Sequence, residues 1–415
     1  MYTALFFVVV AIVTAGFLLD CWLDYLNTTR WSDRLPDEVK DIYDEEKYAR
    51  QQAYEKANYR LGLVSGIFNF LLVLGMLLLA GFAWLNTLTA GISLHPVWWA
   101  LLFFGLLAFA SDLLNTPFSV YDTFVIEEKF GFNKTTVKTF VLDKIKGWLV
   151  GGVIGGLLLA LVIWIFGKTG SYFWLLAWAV ISAFSVFMAM FYSNLIVPLF
   201  NKQTPLEAGE LRAAIEEFSG KVGFRLDNIY VIDGSRRSTR ANAYFTGLGP
   251  KKRIVLYDTL LNDLTPDEVV AVLAHEIGHY KKRHVAQGVL LSLLQTGVLL
   301  YLFALVVESP ALSQALGVTP PNFHIGMVAF GILYSPVSTV TGLLMNMLSR
   351  RNEYQADTFA AVNYRPQALA SALKKLSVKN LSNLTPHPIY VFFNYSHPTL
   401  LQRLAHLKTF ENHES

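Results

Sequence analysis

The sequence predicts a mainly α-helical membrane protein: seven transmembrane helices carrying a water-facing part built from an HExxH helix and a small edge β-sheet. Three observations point there. The 415 residues are 53% hydrophobic and only 16% charged, whereas ordinary soluble domains carry about 25% charged residues. Seven segments stay apolar over the ~20 residues that a helix needs to cross a bilayer. Residues 275–279 read His-Glu-Ile-Gly-His, a spacing with a mechanical meaning of its own.

The spans are expected at residues 3–24, 61–84, 97–118, 147–167, 172–199, 286–308 and 325–349. The first is not a signal peptide. No Lys or Arg precedes Arg30, and no small-residue cleavage site follows the apolar run, so it is read as a retained helix. Residues 25–60 are charged and helix-prone, an extension of the first two spans. Lys and Arg alternate in number between spans. Residues 25–60 hold seven, 119–146 five, 200–285 thirteen and the tail from 350 eight, while 85–96 and 309–324 hold none and 168–171 one. The positive-inside rule then places the N-terminus outside and the polar blocks 200–285 and 350–415 in the cytoplasm. The chain divides accordingly into 1–199, 200–285, 286–349 and 350–415. The single cysteine, Cys21, excludes an internal disulfide and a cysteine-rich metal site. No compact basic module with interleaved aromatics occurs, which argues against nucleic acid as a partner.

Within 200–285, residues 242–246 and 253–257 alternate as two short strands across a Gly-Pro turn. An exposed edge at Asn242 and Ala243 could take up a peptide as an added strand; a plain structural hairpin fits equally. A helix follows. Thr265 is its N-cap, Pro266 its first residue, and Glu268 completes a capping box. On this helix His275 and His279 share one face and can hold one zinc ion, with Glu276 beside the water that the metal activates. A hydrolytic zinc takes three protein ligands. No third histidine follows at HExxHxxGxxH spacing. Glu353 can supply the third ligand. Asp357, one helical turn on, can accept the free N–H of a ligating imidazole. Spacing alone also suits a solvated face with an Arg-Glu pair. The hairpin of the last two spans favours the ligand, because it returns the chain to the face it left after His284.

The segments HEIGH, RRNEYQADTFA (350–360), YDTFVIEEKFGFNKTT (121–136), ANAYFTGLGPKKRIVLYDTLL (241–261) and SHPTLLQRL (396–404) together resemble the type I CAAX prenyl proteases. These are integral-membrane zinc metallopeptidases with a zincin-like catalytic part. The resemblance is spread over most of the chain. It implies one zinc on His275, His279 and Glu353, with Glu276 as catalytic acid/base. It also implies that His397 and Arg403 stabilise the oxyanion or the substrate carboxylate. Spans enclosing a chamber would suit a lipidated peptide, so the expected partners are the bilayer and a lipidated or membrane-associated substrate. The chain ends Glu-Asn-His-Glu-Ser, without the endoplasmic reticulum retention signal common in eukaryotic members, which leaves a bacterial inner membrane open as its host.

His95, His284, His324, His387, His406 and His413 lack a partner at ligand spacing and are read as structural. Glu127 and Glu128 are adjacent, diverge, and are read as fixing a loop. Two other functions compete with the leading one. A quality-control metalloprotease would cut misfolded membrane proteins without needing a prenyl group or a free C-terminal carboxylate. A transporter or structural protein with a chance HExxH would bind no zinc.

Overall fold

In the computed structural model, residues 3–93, 95–224, 229–246 and 253–411 are described. The Gly-Pro turn of the expected hairpin and His413 fall outside them. Six helical stretches are long and apolar enough to cross a membrane: Ala4–Thr28, Glu45–Leu78, Pro96–Glu127, Val137–Phe200, His284–Val306 and Phe323–Asn363. That is one fewer than the seven expected spans. Residues 147–167 and 172–199 fall in a single 64-residue stretch, which turns at Gly170–Tyr172 into the helices Val137–Thr169 and Phe173–Leu195. The backbone leaves helical conformation at Gly170, with φ 55° and ψ −135°, so the two expected apolar runs are two helices that pack on each other. The expected span 61–84 is also corrected. Its helix stops at Leu78, Ala80 adopts a left-handed backbone, and a separate helix Gly81–Ala90 begins. At its other end this helix starts at Glu45, capped by Asp44, so the charged stretch does prolong the second span.

These helices turn large apolar side chains outward, among them Leu71, Leu157, Trp164, Leu294 and Leu344. Exposed apolar surface on this scale is stable only against lipid or another apolar phase.

The water-facing part packs on a four-stranded sheet of order β1-β2-β4-β3. Its strands are Gln203–Pro205 (β1), Ile229–Ile232 (β2), Ala243–Thr246 (β3) and Arg253–Tyr257 (β4). β3 runs antiparallel to β4 as the sequence suggests, with Ala243 opposite Leu256, and it forms one edge. β1 and β2 were not anticipated, and β2 runs parallel to β4.

The motif helix Pro266–Lys281 starts as expected. Thr265 and Glu268 form the capping box and Pro266 opens the first turn. Its Val269, Leu273 and Ile277 are fully buried against Ile254 and Leu256 of the sheet and against Leu369 and Leu407. Each such side chain contributes about 1.5–3 kcal/mol by leaving water. Glu268 serves twice, also accepting from Ser371 and Lys375 on helix Pro366–Lys379. In this way residues from 200–285 and from 350–415 share one core.

The motif helix crosses the long helix Phe323–Asn363 at Gly278. A Cβ there would stand 3.1 Å from the Ala356 Cα and 3.2 Å from the Ala356 carbonyl oxygen. Only the missing side chain lets the two backbones come this close.

Candidate metal centre

The motif helix brings His275 and His279 together with their Nε2 atoms 3.1 Å apart. The long helix supplies Glu353 from the facing side. Its Oε1 is 3.2 Å from His279 Nε2 and its Oε2 3.5 Å from His275 Nε2. One donor atom from each residue lies within 4.8 Å of the others. Glu353 Oε2 is buried and makes no hydrogen bond. Three lone-pair atoms converging in a buried place, one of them an unsatisfied carboxylate oxygen, suit a small divalent cation.

The remaining ring nitrogens fix the tautomers. With Nε2 of His275 turned inward, its Nδ1–H donates to Asp357 Oδ1 at 2.8 Å. Asp357 is fully buried and held from behind by Arg403, whose Nε and Nη2 donate to Oδ2 and Oδ1 at 2.9 and 2.6 Å. Burial and the Arg403 charge disfavour a protonated His275, but the Asp357 and Glu353 carboxylates outweigh both and raise its pKa to about 9.

His279 is supported differently. Its Nδ1 lies 3.0 Å from His284 Nδ1, and His284 Nε2 lies 3.0 Å from Gln355 Oε1. With His279 Nε2 facing the cation, its Nδ1–H donates to His284 Nδ1, which leaves the His284 Nε2–H to donate to Gln355. The structural reading of His284 is thus corrected. It is the first residue after the motif helix breaks at Arg283, in left-handed conformation, and the break swings it back onto the ligand. The other bland readings hold for the described histidines. His324 is buried against Asn86, His406 meets Thr358, His387 caps a short helix, and His95 is the N-cap residue of the helix Pro96–Tyr121. Glu127 and Glu128 do fix their loop, through Tyr54, Arg240 and Asn133.

A cavity of about 600 Å³ opens on this centre. Glu276 lines it and makes no hydrogen bond or ion pair with any described residue. Asn242 and Ala243 of the β3 edge line it too, and its far wall is apolar, from Val285, Met345 and Leu348 of the two flanking membrane helices. His397 stands at the rim, 61% exposed, with Nε2 3.3 Å from Glu353 Oε1. Arg403 gives Nε and Nη2 to Asp357 and also lines the cavity, with its Nη1 3.6 Å from Glu353 Oε2.

Comparison with known proteins agrees over the whole chain. Residues 24–202 match the family model described as CAAX prenyl protease N-terminal, five membrane helices, and residues 205–411 match peptidase family M48. The CAAX prenyl protease 1 of Saccharomyces cerevisiae is 36% identical over 420 residues, covering 95% of this chain and 93% of that protein. The Homo sapiens CAAX prenyl protease 1 homolog is 32% identical over 452 residues, covering 95% of each. The crystal structure of S. mikatae Ste24p superposes with a TM-score of 0.90 at 36% identity, over 98% of this chain and 99% of that one.

Proposed function

The chain belongs to the membrane-embedded M48 metallopeptidases, and from that premise we propose that it cuts CAAX-type prenylated peptides with zinc held by His275, His279 and Glu353. The observation that carries this reading is the cavity, which joins apolar side chains of two membrane helices to the polar centre of His275, His279, Glu276 and Glu353. A lipid tail suits the first and a peptide bond the second.

His275, His279 and Glu353 would hold the zinc, which would supply Lewis acidity for the attacking water and the scissile carbonyl. Glu276 takes the proton from that water and passes it to the nitrogen of the leaving amine. His397, at the rim, donates toward the developing oxyanion. Asp357 holds His275 in the tautomer that presents Nε2, and Arg403 holds Asp357. The β3 edge at Asn242 and Ala243 aligns the peptide by strand addition once the Asn242 side chain, which accepts from the Ala243 N–H at 2.8 Å, turns aside.

A prenylated peptide offered to purified protein in liposomes tests the reading. Wild type should cut it, and Glu276→Gln should be slower by at least about a hundredfold with zinc still bound by elemental analysis. Equal cleavage of an unprenylated membrane peptide would instead favour a quality-control protease.

The same Lys/Arg pattern supports an external N-terminus and a cytoplasmic centre. Cysteines placed singly in 309–324 and 210–225 of a Cys21→Ser background should react with an impermeant reagent in intact cells only in 309–324. Labelling confined to 210–225 would reverse the topology.

A further inference from the structure

The helices Val137–Thr169 and Phe173–Leu195 form a hairpin whose turn lies at Gly170–Tyr172. Its two other ends meet on the opposite side of the bilayer, where the chain goes on into β1 at Gln203. They are tied together there. Lys146 Nζ donates to the Leu199 carbonyl at 2.8 Å and lies over the Phe200 ring, 5.9 Å from its centroid. Both Lys146 and Leu199 stand at the limits of the expected apolar spans, so their contact marks the membrane boundary.

A cavity of about 550 Å³ opens at this boundary. Lys146, Lys202, Arg236 and Arg253 line it, and no carboxylate does. The four cations come from four places: a membrane helix, the chain entering β1, the turn after β2, and β4. Among the described residues none of them makes an ion pair. Neighbouring carboxylates are engaged otherwise. Asp143 pairs with Arg237 at 2.8 Å. Asp233 Oδ1 accepts from the Lys202 backbone N–H and from Asn201 Nδ2 at 2.8 and 3.2 Å. Asp258 accepts from the Ser235 N–H at 2.9 Å. The Arg253 guanidinium is held over the Tyr230 ring, 4.5 Å from its centroid. The whole chain carries a formal net charge of only +3, so this gathering of positive charge is local and not a reflection of general basicity. Like charges around one space repel, and an anion placed among them relieves the repulsion.

The surroundings favour an anion with an apolar tail. The membrane side of the cavity is walled by Pro198, Leu199 and Phe200. One helical turn further into the spans, Leu149 and Leu195 are exposed. A phosphate among the cations thus has apolar surface beside it for acyl chains, which a free inorganic anion leaves unused.

We propose that this cavity binds the headgroup of an anionic phospholipid from the leaflet beside the sheet. Its phosphate accepts from the Lys and Arg donors, as basic pockets at the ends of membrane helices do. The lipid bridges Lys146 on the membrane hairpin and Arg253 on the sheet, and so fixes the height of the water-facing part above the bilayer.

Native mass spectrometry of the full chain in uncharged detergent tests this, with phosphatidylglycerol and phosphatidylcholine of identical chains as probes. Wild type should retain one phosphatidylglycerol about tenfold more tightly than phosphatidylcholine. Lys202→Gln with Arg236→Gln, both exposed, should reduce that preference to about twofold. Lys138→Gln with Lys221→Gln removes the same charge from exposed positions outside the cavity and should leave the preference unchanged. Phosphatidylcholine affinity is the internal reference for an intact fold. Equal affinity of wild type for the two lipids overturns the site. An equal loss in both double variants does so too, since it reduces the effect to general surface attraction. Displacement of phosphatidylglycerol by inorganic phosphate at equal concentration would make the cavity a soluble-anion site and overturn the lipid assignment.

Discussion

His275 and His279 sit one helical turn apart and face the same centre, yet their support differs in kind. His275 is backed by a charged pair: a fully buried Asp357 gripped on both oxygens by Arg403. His279 is backed by a neutral relay through His284 to Gln355 and is the more exposed of the two. A carboxylate partner raises imidazole basicity and fixes the ring more firmly than a neutral acceptor does. The comparison teaches that His275 is the anchored ligand and His279 the adjustable one.

Glu353 is common to both sides, so its loss should have the largest effect. Glu353→Ala should release most of the zinc from detergent-purified protein and reduce peptide cleavage to background. Full retention by elemental analysis would remove it from the ligand set. Asp357→Asn acts on the anchored side alone. Activity should fall about 10- to 100-fold, with zinc lost faster to a chelator yet retained in its absence. The neutral side should matter least. His284→Ala leaves the His279 N–H without its acceptor and should cost about fivefold, below the usual range for a charged partner. Should Asp357→Asn and His284→Ala behave alike in the chelator assay, the distinction between anchored and adjustable ligand fails.

What could be read from the sequence follows the range of the interactions. HExxH and its capping box are local, and one helical period places every group. Asp357 was legible for the same reason, four residues from Glu353. Glu353 itself needed one long-range step, the return of a membrane hairpin, and apolar length gave that. His284 was missed because its contact passes through a left-handed residue at Arg283, beyond which helical spacing says nothing. Arg403 was placed at the centre, but spacing gave no hint of its pair with Asp357, 46 residues away in the chain. In the membrane part, apolar content marked the stretches but not their ends. Hydropathy runs through the break at Ala80, whereas Gly-Lys-Thr-Gly-Ser at 167–171 did mark the turn between the helices that meet at Gly170–Tyr172. β1 and β2 have three and four residues, too few for alternation to register.

The contact at Gly278 bears on which ion the centre accepts. The helix that carries both histidines rests directly on the backbone of the helix that carries Glu353. The separation of the two helices that carry the donor triangle is therefore set by main chain against main chain. A triangle of that origin dilates poorly. It suits an ion that bonds nitrogen and oxygen at about 2.0–2.2 Å in tetrahedral geometry, and it penalises calcium, which asks for six to eight oxygens at about 2.3–2.6 Å.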